Sequence, residues 1–194
     1  PVDVDLELVL AVDISGSMDR GEAALQRQGY VEAFRHPDVI RAIGSGLTGR
    51  IAVTYIEWAG SQHQQVMVDW SVVSDVASAA AFADAVAEAP LRSAFGTSIS
   101  TALAFAAGRF ADSGARSVRR TIDVSGDGPN NMGGPVAEIR DALVADGIVI
   151  NGLPVMIGGG VYSRARIPGL DIYYEDCVIG GPGAFIVPVH EPAG

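Results

Sequence analysis

The stretch Leu6-Glu7-Leu8-Val9-Leu10-Ala11-Val12-Asp13-Ile14-Ser15-Gly16-Ser17 decides the fold. Leu6 to Val12 is a nearly continuous apolar run of strand length, the pattern of a central strand covered on both faces. The run then leaves as an Asp-x-Ser-x-Ser loop ahead of a helix-period segment, roughly Asp19 to Phe34. His36-Pro37 ends that segment, because proline disfavours helix at the residue before it. Strand, oxygen-rich loop and helix in this order predict the first unit of a layered α/β fold.

Outward from this stretch the alternation repeats. Arg50 to Glu57 reads as the next strand, and the short loop at Gly60-Ser61-Gln62 predicts that Gln65 to Trp70 returns antiparallel as an edge. Ser74 is expected to cap an alanine-rich helix to about Glu88, with Asp75 in its first turn and Pro90 stopping it. Ser98 to Phe110 is a further helix, Arg120 to Val124 a strand, Pro135 to Ala145 a helix opened by proline, and Ile148 to Pro154 a strand. Gly158-Gly159-Gly160 opens a loop, Leu170 to Val178 includes a short helix, and Ala184 to Val189 closes the sheet. No repeat, charge block or low-complexity linker divides residues 1–194, so one domain is expected. The predicted fold class is α/β: a doubly wound, mostly parallel six-stranded sheet with one antiparallel edge strand and helices on both faces. Such a sheet places its ligand beyond the carboxyl ends of its strands.

Composition narrows the function classes. The chain has 194 residues, 48% of them apolar, and a net charge of −10 from 13 basic and 23 acidic side chains. All of the basic residues are arginine, which excludes a P-loop lysine, a Schiff-base lysine and a lysine general base. A pI near 4.6 argues against a sequence-independent grip on nucleic acid or anionic lipid. No apolar stretch reaches the roughly 18 residues needed to cross a bilayer, so direct membrane insertion is not expected. Cys177 is the only cysteine, which rules out an intrachain disulfide, and its apolar setting predicts a small core residue. Leu6 to Val12 lacks the basic flank of a signal peptide, while a start at Pro1 fits a processed or trimmed product.

Three loops that lead into helices carry oxygen ligands. Asp13, Ser15 and Ser17 project from the end of the first strand. Gly96-Thr97-Ser98 puts the Thr97 hydroxyl at a helix N-terminus, and Ser125-Gly126-Asp127-Gly128 puts Asp127 at another carboxyl end. Each alone could be ordinary helix capping or an Asp-Gly turn. Together, on one edge of the sheet, five hard oxygen donors suit a divalent cation. His36, His63 and His190 are dispersed without ligand spacing and do not suggest zinc. Asp171, Glu175 and Asp176 read as a solvated acidic loop, and Arg116, Arg119 and Arg120 as a salt-bridged turn. Trp58, Trp70, Tyr173 and Tyr174 fit either packing or a partner-facing rim.

Asp13, Ser15, Ser17, Thr97 and Asp127 resemble the metal-ion-dependent adhesion site of von Willebrand factor type A domains, and the resemblance runs from Leu6 to about Val189. The stretches Asp123 to Gly128 and Asp176 to Phe185 further resemble a largely uncharacterised bacterial branch of exported proteins. The resemblance implies strand order 3-2-1-4-5-6, with the Asp13 and Asp127 strands adjacent. It implies an ion ligated by the three hydroxyls, directly or through water, with the two aspartates binding or orienting its waters; hard oxygen donors and few carboxylates favour Mg²⁺, with Ca²⁺ or Mn²⁺ as alternatives. It leaves one position for an Asp or Glu of a protein partner, and it implies a periplasmic or secreted setting. Gly126 departs from the common pattern, which has threonine there.

The expected function is therefore a non-enzymatic, cation-dependent protein-binding module. One alternative is a Mg²⁺-dependent phosphoryl-transfer enzyme resembling the haloacid dehalogenases, with Asp13 as nucleophile. Ser15 at its third motif position and the absence of lysine weigh against it. The other is a structural assembly domain whose metal site is vestigial.

Overall fold

The computed structural model describes residues 1–16, 19–156 and 169–190; Ser17 and the glycine loop at 158–160 lie outside the described residues. The chain runs β1 (Val2–Asp3), β2 (Leu6–Asp13), α1 (Arg20–Arg35), α2 (Pro37–Gly44), β3 (Ile51–Trp58), β4 (Gln64–Val73) and α3 (Val76–Glu88). It continues through α4 (Ile99–Arg109), β5 (Ala115–Arg116), β6 (Arg120–Gly126), α5 (Val136–Ala145), β7 (Ile148–Pro154) and α6 (Leu170–Tyr173). A π-helical turn, Tyr174–Val178, extends α6.

The main sheet has the order β4-β3-β2-β6-β7, parallel throughout except for the β3–β4 pair. Period-two alternation along β2 sends Val9 and Ala11 to one face and Leu10 and Val12 to the other. The first face packs under α4, α5 and the Tyr174 turn, and the second under α1 and α3. Both faces being covered is why β2 reads as a nearly continuous apolar run from Leu6 to Val12.

The sheet holds five strands where six were expected. Ala184 to Val189 does lie along β7, but only through single parallel bridges at Gly152–Ile186 and Val155–Val189. Gly152 donates to the Phe185 carbonyl and accepts from the Val187 amide, while Pro154 accepts from the Val189 amide and Met156 donates to the Val189 carbonyl. Between them Pro154 has no amide hydrogen with which to continue the ladder. A small second sheet, β1 paired parallel with β5, was not expected from the sequence and ties residues 2–3 to 115–116.

Three local readings are corrected. Pro37 both ends α1 and begins α2, a helix the sequence reading missed, with His36 Nδ1 accepting from the Asp38 amide as its cap. Asp75 rather than Ser74 caps α3: its carboxylate accepts from the Ser78 amide at 2.8 Å while Ser78 Oγ accepts from the Asp75 amide at 3.1 Å, a capping box. Cys177, expected in the core, is only half-buried, whereas Trp58 and Tyr174 are wholly buried.

Candidate metal centre

Asp13 ends β2 and is fully buried. Strand alternation places it on the face of Val9 and Ala11. One carboxylate oxygen accepts the Ser15 amide at 2.7 Å, and the other accepts the Asp127 amide at 3.4 Å. The latter bond joins the ends of β2 and β6, which are 114 residues apart in sequence and neighbours in the sheet. Gln26 of α1 fastens the corner from below: its Nε2 donates to the Asp13 carbonyl at 3.1 Å, and its Oε1 accepts from Ser125 Oγ at 3.0 Å.

The third loop is knitted to both of these. Ser15 bridges Ala94, with the Gly16 amide donating to the Ala94 carbonyl at 2.9 Å and the Ala94 amide to the Ile14 carbonyl at 3.1 Å. On the other side the Thr97 amide donates to Asn131 Oδ1 at 3.0 Å, and the Asn131 amide returns a bond to the Thr97 carbonyl at 2.9 Å. Asn130 Oδ1 accepts from the Ile99 amide at 2.8 Å, so two consecutive asparagines hold the start of α4 against the Asp127 loop. Asp13, Ser15, Thr97 and Asp127 thus lie on three loops bonded to one another. Ser17 lies outside the described residues.

Capping does not account for the two predicted donors to which it was most readily assigned. The α1 cap is Asp19, which accepts from the Glu22 amide at 2.8 Å, and the α4 cap is Ser98, which accepts from the Thr101 amide at 3.3 Å. Asp13 and Thr97 are not the caps of these helices, although both are buried beside them.

Burial and the neighbouring Asp127 carboxylate push the Asp13 carboxyl up to about 7, against the pull of the Ser15 and Asp127 amides. Glu22, on the first turn of α1, is also raised, by burial and then by the charges of Asp19 and Asp127. No arginine pairs with Asp13 among the described residues. Among the described residues no three His, Cys, Asp or Glu side chains converge there. Asn130, Asn131, Gln26 and Glu22 were missed from the sequence. Only the two asparagines left a signal, as turn formers following Gly128-Pro129.

The mussel byssus protein PTMP1 has a similar structure, with a TM-score of 0.63 and 18% identity over 82% of this chain and 39% of its own. It has also been solved with a zinc-occupied MIDAS motif, at a TM-score of 0.61 and 18% identity. The pilus adhesin SpaC of Lactobacillus rhamnosus GG gives a TM-score of 0.64 at 12% identity, over 98% of this chain and 28% of the adhesin. An aerotolerance-related membrane protein of Bacteroides fragilis gives 0.57 at 20% identity, over 96% and 92% of the two chains. This chain therefore spans well under half the length of the first two relatives. No protein of curated function matches it. The family profile described as a protein of unknown function, DUF1194, matches residues 3–194. The chain belongs to that family, and its fold is that of a von Willebrand factor type A domain.

Proposed function

We propose that residues 1–194 act as one cation-dependent protein-binding module, without enzymatic activity. Asp13, Ser15, Ser17, Thr97 and Asp127 hold a divalent cation, and an Asp or Glu of a protein partner completes its coordination. The observation that carries this reading is Asp13, a carboxylate removed from water beside a second carboxylate and given no arginine among the described residues. Burying such a charge is costly unless a counter-charge arrives, and a divalent cation supplies one. Hydroxyls and carboxylates are hard donors, and the small number of carboxylates favours Mg²⁺ over Ca²⁺, with Mn²⁺ as a usable substitute. The zinc-occupied motif of the byssus protein supports divalent binding on this fold.

The bound cation supplies Lewis acidity that two carboxylates and neutral hydroxyls leave partly unspent. Asp13 and Asp127 orient the ion's surroundings, while Asn130 and Asn131 hold the Thr97 loop in place. The pilus adhesin and byssus matrix relatives support adhesion as the class of activity and a periplasmic or secreted setting. A pull-down from an envelope fraction, with and without chelator, tests the reading. Partners recovered only with Mg²⁺, and lost in Asp127→Ala, are expected; partners captured equally in excess chelator overturn it.

A further inference from the structure

Tyr174 opens the π-helical turn after α6 and is completely buried, yet its hydroxyl has no hydrogen-bond partner among the described residues. The ring lies in a slot that two glycines on adjacent strands keep open. A Cβ at Gly152 of β7 would come within 2.7 Å of the ring's Cδ2. A Cβ at Gly126 of β6 would fall 2.7 Å from the Tyr174 hydroxyl and 3.0 Å from Asp13 Oδ2. The side chain thus crosses β7 and β6 on the α4–α5 face, and its oxygen ends beside the Asp13 carboxylate, in space that a threonine at 126 would fill. The departure at Gly126 and the buried tyrosine are two halves of one arrangement.

A buried hydroxyl left without a partner costs about 1–3 kcal/mol, and phenylalanine would fill the same slot without that cost. The Asp13 carboxylate lies beside the hydroxyl, and a carboxylate only accepts, so towards Asp13 the hydroxyl can only donate. We propose that Tyr174 is a positioning residue of the cation site, its hydroxyl donating to the Asp13 carboxylate, directly or through one water, when the cation is bound. This inference rests on the proposed cation site and adds to it a residue from a segment about 47 positions beyond Asp127. Metal ligands are commonly held by outer partners whose loss weakens metal affinity about 10–100-fold.

The test is Mn²⁺ titration of wild type, Tyr174→Phe and Asp127→Ala, with free Mn²⁺ read by its EPR signal, beside urea unfolding of each protein in chelator. The expected result is opposite signs for Tyr174→Phe: Mn²⁺ affinity lowered at least tenfold, and the cation-free midpoint unchanged or raised. Wild-type affinity in Tyr174→Phe overturns the inference while leaving the site intact. A lowered cation-free midpoint also overturns it, since the hydroxyl would then serve the fold. Undiminished Mn²⁺ uptake by Asp127→Ala overturns the site itself, and this inference with it.

Discussion

Two carboxylates are buried on neighbouring strands at the carboxyl edge of the sheet, one on each face, and they are neutralised by different means. Glu57 pairs in register with Val12, one position before the Asp13–Trp58 pair. Its Oε2 accepts from the Arg27 guanidinium at 2.8 Å, with both side chains almost wholly buried. The same guanidinium holds the carbonyls of Ala89 and Pro90, where α3 gives way to the Thr97 loop. Asp13, on the neighbouring strand, receives amide hydrogens and faces another carboxylate. A buried carboxylate with its own arginine fastens the fold. One without a cation is stabilised by what binds.

If that contrast is right, the two sites should break differently. The largest effect is expected at the fastener. Arg27→Met leaves Glu57 buried without a counter-charge and should lose about 3–5 kcal/mol in urea unfolding without cation, most of it recovered in Arg27→Met/Glu57→Gln. Asp13→Asn should behave oppositely: no less stable in chelator, but without the stabilisation of about 2.7 kcal/mol that wild type gains at a cation concentration of 100 Kd. Equal destabilisation of both variants in chelator would erase the distinction.

The pH dependence sharpens the contrast. The Asp13 carboxyl rises from its ordinary 3.8 to about 7 on folding, so the folded protein holds a proton that the unfolded chain has released. In chelator, this group's contribution is therefore full below about pH 4 and is lost as pH climbs towards 7. Cation uptake displaces the same proton, so the midpoint shift produced by Mg²⁺ should be small at pH 5 and grow through pH 7. A Mg²⁺ shift independent of pH from 5 to 8 would contradict it.

Smaller effects are expected away from the carboxylates. Asn131→Ala removes the acceptor of the Thr97 amide and should cost about 1–2 kcal/mol together with cation affinity. Asp75→Ala removes the α3 cap and should cost about 1 kcal/mol with cation affinity unchanged, which makes it a control for stability alone. Thermal unfolding with and without Mg²⁺ reads both.

Much of this molecule is legible along the chain. The apolar run of β2 and the proline after α1 are local signals, because periodicity and turn chemistry act over a few residues. The sixth strand was misjudged for an equally local reason. The apolar run Ala184 to Val189 marks a strand, but whether it forms a ladder depends on its neighbour, and that neighbour carries Pro154. Tyr174 was ambiguous for a non-local reason, since nothing beside it in sequence indicates that Gly126 and Gly152 clear its slot.

The sequence by itself determined the kind and order of the main elements, though not α2, the β1–β5 pair or the number of strands in the sheet, and its pattern set Asp13, Ser15, Ser17, Thr97 and Asp127 ahead of helices. Those features depend on residues within a turn or two of one another. Only the tertiary structure decided that β2 and β6 are neighbours, that Asp13 meets Asp127 across 114 residues, and that Arg27 goes to Glu57 instead of Asp13. Pairing between distant strands is settled by burying the whole sheet between two helical layers, and no local pattern carries that information.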